Sequence, residues 1–276
     1  MPSAPKLSIL IPAYKARDTI EAAISSALCE HNVQFVVAPD DGTNDYKHLE
    51  EKFPGQVVVL EPTFKIRPGA GRNRAFEAAT GDFLTMLDAD DQFSEGAVSE
   101  AIKLCSESSA GAVFFQTRYF DKDSSQTVRE TSSTTLNIDQ FIDFNGSIHA
   151  LYRKDLWQPY SSLLAEDVLH DMQILLKAGG TAPMTSGAYL LNLHSVSMCA
   201  TTPQHQFTED YEKISKEADQ PEVRRLFSEK IAVGLEYEKM LKNHPNLGFH
   251  EFIVARQQKE QSQHAVRITA EERAFC

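Results

Sequence analysis

Phe83-Leu84-Thr85-Met86-Leu87-Asp88-Ala89-Asp90-Asp91 is an apolar run that stops abruptly in carboxylates. A short run of this kind, with Thr85 its one polar residue, predicts a buried strand over 83–87. Its flanks give it meaning. Before it, Gly69 to Thr80 reads as a helix that Gly81 terminates. After it, Ser94 to Ser106 reads as a helix with Val98, Ala101, Ile102 and Cys105 inward. Working outward, strands are expected at 7–11, 35–38, 57–60 and 112–115. Between the first two, Asp18-Thr19-Ile20-Glu21 has the spacing of a capping box. The helix it opens carries Ile20, Ala23, Ile24, Ala27 and Leu28 on one apolar face. Strands alternating with helices predict an α/β fold with a mostly parallel sheet covered on both faces.

Beyond residue 117 the pattern loosens. Residues 118–146 are polar and rich in Ser, Thr and Asp, so irregular structure is expected, with a short helix near Ile138 to Phe144. A strand is expected over 147–152, a helix over Val168 to Ala178 ended by Gly179-Gly180, and a last strand over 189–193. From about residue 205 the chain turns to charged helical stretches, at 207–216, 222–242 and 248–261. We therefore expect a domain over 1–205 and a helical extension over 206–276.

Composition narrows the function. The chain has 276 residues, 39 acidic against 27 basic, and a formal net charge of −12, which argues against a nucleic-acid backbone as partner. Four cysteines at 29, 105, 199 and 276 form no CxxC pair, so neither a thiolate zinc site nor a dense disulfide framework is expected, and a reducing compartment is the simpler reading. No apolar run is long enough to span a bilayer, and the first residues lack a signal-peptide pattern. A cytoplasmic protein is expected.

In such sheets ligands gather at the carboxyl ends of the strands. After the first strand come Pro12, Ala13 and Tyr14; the ring can stack on a nucleobase or be a rim aromatic. After the second come Asp40 and Asp41, acceptors for a base N–H or members of an Asp-Gly turn with Gly42. After the fourth come Asp88, Asp90 and Asp91, which suit a hard cation shared with phosphates, or else form a solvated acidic turn. Arg67, Arg72 and Arg74 near a helix start can neutralise a diphosphate or lie on a solvated face. Glu166-Asp167 can cap a helix or supply a base. His194, after the last strand, can be a metal ligand, a phosphate donor or structural.

The order of these segments resembles one family. Leu7-Ser8-Ile9-Leu10-Ile11-Pro12-Ala13-Tyr14 is similar to the opening strand of family-2 glycosyltransferases, and Asp40-Asp41-Gly42-Thr43-Asn44-Asp45 to their DDGSTD segment. Gly71-Arg72-Asn73-Arg74-Ala75 with Ala79-Thr80-Gly81-Asp82-Phe83 resembles ARNxG…ATGEY, and Leu87-Asp88-Ala89-Asp90-Asp91 resembles LDxDD. Leu151-Tyr152-Arg153-Lys154-Asp155-Leu156 is similar to FxRxxL, and Glu166-Asp167 to the ED pair before a helix. The resemblance covers about residues 6–200. Two departures are Lys15, where an asparagine is usual, and Pro39, which requires its strand to end there or lie at an edge.

The resemblance implies a GT-A fold, a Rossmann-like nucleotide-binding domain, and inverting transfer of a sugar from a nucleotide-sugar, with UDP preferred. It implies that Pro12 and Ala13 offer backbone contacts, that Tyr14 stacks on the base, and that Asp41 binds it with Asp40 close by. Arg72 would lie beside the diphosphate or sugar and Asp88 near the ribose or sugar. Asp90, with His194, would hold Mn²⁺ or Mg²⁺. Asp91 would position the sugar or acceptor, Asp167 would be the base, and Glu166 would support it. A glycan or lipid-linked acceptor of a bacterial surface polysaccharide is the expected partner. The extension is expected to cover the acceptor site, dimerise, or rest on the cytoplasmic face of a membrane. A nucleotidyltransferase would need a Gly-rich first loop where Pro12-Ala13-Tyr14 stands, and a dinucleotide oxidoreductase would need GxGxxG there. A non-catalytic nucleotide-sugar-binding or scaffold protein of the same fold is the remaining alternative.

Overall fold

The computed structural model of the chain describes residues 6–121, 124–194, 201–245 and 247–259. Its first half alternates strand and helix: β1 (Lys6–Ala13), α1 (Ile20–Ser26), β2 (Asn32–Pro39), α2 (His48–Lys52), β3 (Val57–Val59), α3 (Pro68–Glu77), β4 (Phe83–Met86), the two-residue β5 (Gln92–Phe93) and α4 (Ala97–Glu107). Then follow β6 (Ala112–Asp121), β7 (Gln126–Glu130), β8 (Thr135–Asn137), α5 (Ile138–Phe144), β9 (Ala150–Arg153), α6 (Glu166–Lys177), β10 (Thr181–Leu193), α7 (Gln204–Glu217) and α8 (Pro221–Leu241). A last helix, α9, spans 249–259. The ten strands form one sheet in the order β3-β2-β1-β4-β9-β6-β10-β5, with β7 on β6 and β8 on β10.

The longest ladders are parallel. β1 pairs β2 from Lys6↔Asn32 to Ala13↔Pro39, and β10 pairs β6 up to Leu193↔Asp121. β9 is antiparallel to both β4 and β6, so it joins two parallel halves. Alternation along β1 shows why both faces are buried. Leu7, Ile9 and Ile11 join a core with Phe35, Ile20, Ile24 and Ile102. Leu10 faces the opposite side, with Val36, Ala75, Met172 and Leu175. Strand side chains point to alternate faces, so a strand that is apolar on both, with Ser8 its one buried polar residue, needs a layer packed on each side.

Several local expectations are corrected. No capping box forms at Asp18: Thr19 is the N-cap without a side-chain cap bond. Glu21 is instead drawn to Lys52 Nζ at 2.5 Å and His48 Nε2 at 3.1 Å. The helix ends at Ser26, leaving Leu28 exposed. Residues 118–146 are not irregular, because β6 runs on to Asp121 and β7 and β8 add to the sheet. These strands are too polar to announce themselves, and their partners supply the ladder. Pro39 is the last residue of a central strand, and the Asp40 N–H donates to Ala13 O at 2.7 Å, so the ladder loses nothing to the missing N–H.

The extension packs back onto the body. Ile214 of α7 and Val223, Leu226 and Phe227 of α8 enter the core beside Met172. Phe252 and Ile253 of α9 form a small cluster of their own with Val233. The apolar residues of α8 are thus largely turned inward, although Leu235 is exposed. Among the described residues no helix is long and apolar enough to cross a membrane. Cys29 and Cys105 are free thiols, while Cys199, Cys276 and the predicted helix end at 260–261 lie outside the described residues.

Gly81 does not end α3, which stops at Glu77 with Ala78 as its C-cap. Gly81 is required by close approach: a Cβ would stand 2.5 Å from Ser8 N and 2.8 Å from Lys6 O, both rigid backbone of β1. Gly81→Ala is expected to lower stability by about 2 kcal/mol, read by denaturant unfolding.

Candidate active site

The site is built at the carboxyl ends of β1, β2 and β4, where parallel strands leave loops above a shared edge. The β1 exit brings Pro12, buried Ala13 and exposed Tyr14 to this edge. Lys15 takes a φ of 51° and turns its N–H onto Asp41 Oδ2 at 3.0 Å. The β2 exit is held by its own carboxylates. Buried Asp40 accepts from the N–H groups of Ile66 (2.7 Å) and Arg67 (3.1 Å), and so folds the 61–67 loop onto the strand end. Asp41 accepts from Lys15 N, from Thr43 N and Oγ1, and from Tyr46 Oη at 2.7 Å. Asp40 thus holds the 61–67 loop while Asp41 ties the β1 exit to the 43–46 turn, and Gly42 makes the turn with a φ of 76°.

The loop also presents a residue that sequence reading missed. Phe64 bridges Asp41 in an isolated antiparallel pair and is 65% exposed. Tyr14, at 46% exposure, lies on the other chain segment that meets Asp41. Large exposed aromatics beside a polar strand end are unusual and offer flat faces to a planar ligand. Only the isolated aromatic in an otherwise polar loop signals this in the sequence.

The β4 exit carries the acidic cluster. Arg72 of α3 reaches it from below and is 2% exposed. Its Nη2 donates to Asp88 Oδ1 at 2.5 Å and its Nη1 to Glu166 Oε1 at 2.7 Å. The guanidinium also lies 5.3 Å from the Tyr160 ring centre. Burial opposes its charge, but Asp88 and then Glu166 outweigh it and push its pKa higher still. Asn73 clasps the Tyr160 backbone through both amide atoms, at 2.9 and 2.8 Å. Arg67 and Arg74 turn elsewhere: Arg67 donates to Ser162 O, and Arg74 to Thr63 Oγ1 and Glu61 O.

The end of β10 closes the cluster. Asn192 N donates to Asp91 Oδ1 at 2.7 Å and Asn192 Nδ2 to Asp90 O at 2.6 Å. His194 Nε2 lies 2.8 Å from Asp90 Oδ2, and the Asp88 N–H donates to Tyr189 Oη at 3.0 Å. Burial, then Asp88 and Asp90, push Asp91 well above the usual carboxylate range. Asp90 and His194 supply one carboxylate and one imidazole. Among the described residues no group of three or more potential ligands exists. That donor set fits Mn²⁺ or Mg²⁺ only if phosphate oxygens and water complete the shell, as they commonly do for these ions.

The N-terminus of α6 supplies Glu166 and Asp167. Buried Glu166 is pushed up to about 7 by burial, which Arg72 only partly offsets. Asp167 behaves oppositely. Burial would raise it, but His149, Arg72 and the Ser147 hydroxyl together hold it below the ordinary value. Ser147 Oγ donates to Asp167 Oδ2 at 2.7 Å, and His149 Nδ1 pairs with Asp171 at 2.9 Å. Neighbouring carboxylates with separated affinities can hold and accept protons at the same pH. Ser147, His149, Tyr189 and Asn192 sat in predicted strands and gave no functional signal, although Asn192 shares a strand face with His194.

Residues 8–158 match the sequence profile described as Glycosyl transferase family 2. The chain belongs to that family. A GalNAc(5)-diNAcBac-PP-undecaprenol beta-1,3-glucosyltransferase of Campylobacter jejuni is 28% identical over 109 residues, 37% of this chain and 35% of that protein. This chain thus matches about a third of that relative's length. Residues 1–349 of S. aureus TarS in complex with UDP-GlcNAc superpose with a TM-score of 0.61 at 18% identity, covering 82% of this chain and 71% of that one. The mannosyltransferase PcManGT of Pyrobaculum calidifontis, in complex with GDP-Man and Mn²⁺, superposes with a TM-score of 0.59 at 14% identity, covering 99% and 81%. The fold is GT-A, a mixed α/β sheet followed by C-terminal helices.

The raised Glu166 gives a pH signature. Because its folded pKa of about 7 exceeds the unfolded value of 4.5, the native state binds more protons in that window. Its contribution is full below about pH 4.5 and is lost as pH rises through about 7. Between pH 5 and pH 8 the wild type is expected to lose about 2 to 3 kcal/mol relative to Glu166→Gln, measured by denaturant unfolding across pH.

Proposed function

We propose that the chain is an inverting glycosyltransferase that moves a sugar from a nucleotide-sugar, UDP-linked, to a hydroxyl of a glycan or lipid-linked acceptor. The observation that carries this is the set of charged groups brought together at the strand ends by hydrogen bonds and by the 88–91 turn. It runs from the His194–Asp90 pair through Asp88 and Arg72 to Glu166, with the ionised Asp167 beside it. The TarS complex holds UDP-GlcNAc, and the Campylobacter relative is named for a diphosphate-linked lipid acceptor. Both support the choice of substrates. Residues 1–205 form the donor and catalytic unit in this reading, and 206–276 flank the acceptor side. The enzyme works in the cytoplasm at the membrane face.

Tyr14 and Phe64 offer ring faces to the base, and Pro12, Ala13 and the Asp40–Asp41 turn offer its polar contacts. Asp90 and His194 would hold the divalent ion, which when bound neutralises charge on the departing diphosphate. Asp88 fixes the ribose side. Arg72 is enclosed, so it acts by setting Asp88 and Glu166 in place. Asp167 takes the proton of the acceptor hydroxyl as that oxygen attacks the anomeric carbon and the carbon–oxygen bond to the diphosphate breaks. Ser147 orients Asp167 through its hydrogen bond. Asp91, fastened to the Asn192 backbone, positions sugar or acceptor. One base suffices for inversion, because the diphosphate leaves without a general acid.

Isothermal titration of UDP, GDP and dTDP, each with Mn²⁺ or EDTA, tests the donor assignment. UDP is expected to bind only with metal, and Asp90→Ala to lose that binding. Asp167→Asn is expected to bind UDP as the wild type does but to transfer sugar about 10²- to 10⁴-fold more slowly. Absence of nucleotide binding with metal present would leave the scaffold reading instead.

A further inference from the structure

Behind the Ser147 loop lies a second set of buried polar groups. Arg129 of β7 is 6% exposed. Its guanidinium carbon is 3.9 Å from the Phe144 ring centre and 5.6 Å from that of Tyr119. Nε, Nη1 and Nη2 are all buried without a hydrogen-bond partner. Among the described residues, the buried arginines are Arg72 and Arg129, and Arg72 has two carboxylates where Arg129 has none. Ring faces accommodate a guanidinium, but they leave its in-plane donors unmet.

The neighbours are also donors without acceptors. Asn145, buried at the end of α5, accepts from Lys230 Nζ at 3.4 Å through Oδ1, while its Nδ2 has no partner. His250 of α9 stacks on Tyr119 with 4.5 Å between ring centres, and its Nδ1 has no partner. Burial and then the Arg129 charge hold that imidazole down at about 4, so it is neutral and can donate one N–H. Arg129 and Asn145 thus carry buried, unmet N–H donors and His250 a buried, unmet ring nitrogen, linked through the Phe144 and Tyr119 rings, a set that an anion with several acceptor oxygens would satisfy.

The position of this set relates it to the chemistry. Asn145 is two residues from Ser147, whose N–H donates to Tyr119 Oη at 2.9 Å and whose hydroxyl donates to Asp167. The same short loop therefore touches the proposed base and the unmet donors. We propose that Arg129, Asn145 and His250 form a phosphate-binding site for the acceptor, holding an acceptor phosphate while Asp167 addresses the acceptor hydroxyl. This assignment rests on the transfer reading above for its role, though not for the anion site itself. One side of the set is formed by α9, through His250. That helix is anchored to α8 by the Val233, Phe252 and Ile253 cluster, and meets the sheet side through the His250–Tyr119 contact and the Gln257 Nε2 bond to Asp143 O at 3.2 Å.

The test titrates the full chain, in EDTA, with sodium orthophosphate and with farnesyl diphosphate, comparing wild type with Arg129→Met. UDP with Mn²⁺ is titrated into both in parallel. Both anions are expected to bind the wild type, and Arg129→Met to bind them about 10- to 100-fold more weakly with UDP affinity unchanged. Asn145→Gly keeps the left-handed backbone and deletes Nδ2, and serves if Arg129→Met does not fold; it should weaken both anions in the same direction. Tighter binding of farnesyl diphosphate than of orthophosphate assigns the site to a lipid-linked diphosphate, and equal binding assigns it to free phosphate and overturns the acceptor role. Anion binding that is absent, or equal in wild type and variants, overturns the site. If anions bind as expected while UDP does not, the site stands and the transfer reading fails.

Discussion

Enclosing a charged guanidinium is costly unless carboxylates offset the lost hydration, and Arg72 is enclosed with two of them. It sits on α3, and its two partners lie at the end of β4 and the start of α6. Three elements distant in the chain are thereby held to a common point. Two of the three carry residues that the proposed reaction uses. Removing either carboxylate would leave Arg72 with a single carboxylate partner and part of its desolvation cost unmet. The same crowding separates the carboxylates chemically. Glu166, against Arg72 but deeply buried, is driven up, while Asp167, facing Ser147 and the field of His149, is driven down.

A second constraint comes from the far side of the sheet. β10 pairs β6 in parallel, so its end arrives at the same edge as the ends of β1, β2 and β4. Tyr189, Asn192 and His194 then fasten Asp88, Asp91 and Asp90 in turn. The acidic turn after β4 is held less by its own backbone than by this strand. A chain with a net charge of −12 can concentrate carboxylates here because buried donors oppose them locally. The Arg129 set is the converse arrangement, unmet buried polar atoms without acceptors, and its member Asn145 lies two residues before Ser147.

Much of this was legible in the sequence. Short apolar runs alternating with one-faced helices predicted the α/β class, and carboxylates after the second and fourth strands pointed to the edge that carries the site. Asp88, Asp90, Asp91, Glu166, Asp167 and His194 were identified as residue types in an order. Whether each was a site residue or a turn or cap was not legible, because both readings need the same residue. Arg72 was expected beside a ligand, yet it is enclosed, since burial depends on what α3 packs against. The polar strands β7 and β8 and the exposure of Phe64 were not legible for a related reason: pairing and exposure belong to neighbours far along the chain.

What the sequence by itself determined is the set of elements and the chemical character of their ends. Local propensity and period act within a few residues, and every residue carries that information with it. What only the tertiary structure decided is which charges meet. The partners of Arg72 lie 16 and 94 positions away, and those of Asp90 and Asp91 more than a hundred. Charge state and proton affinity depend on distance and burial, which arise only when the sheet closes and brings its strand ends to one edge.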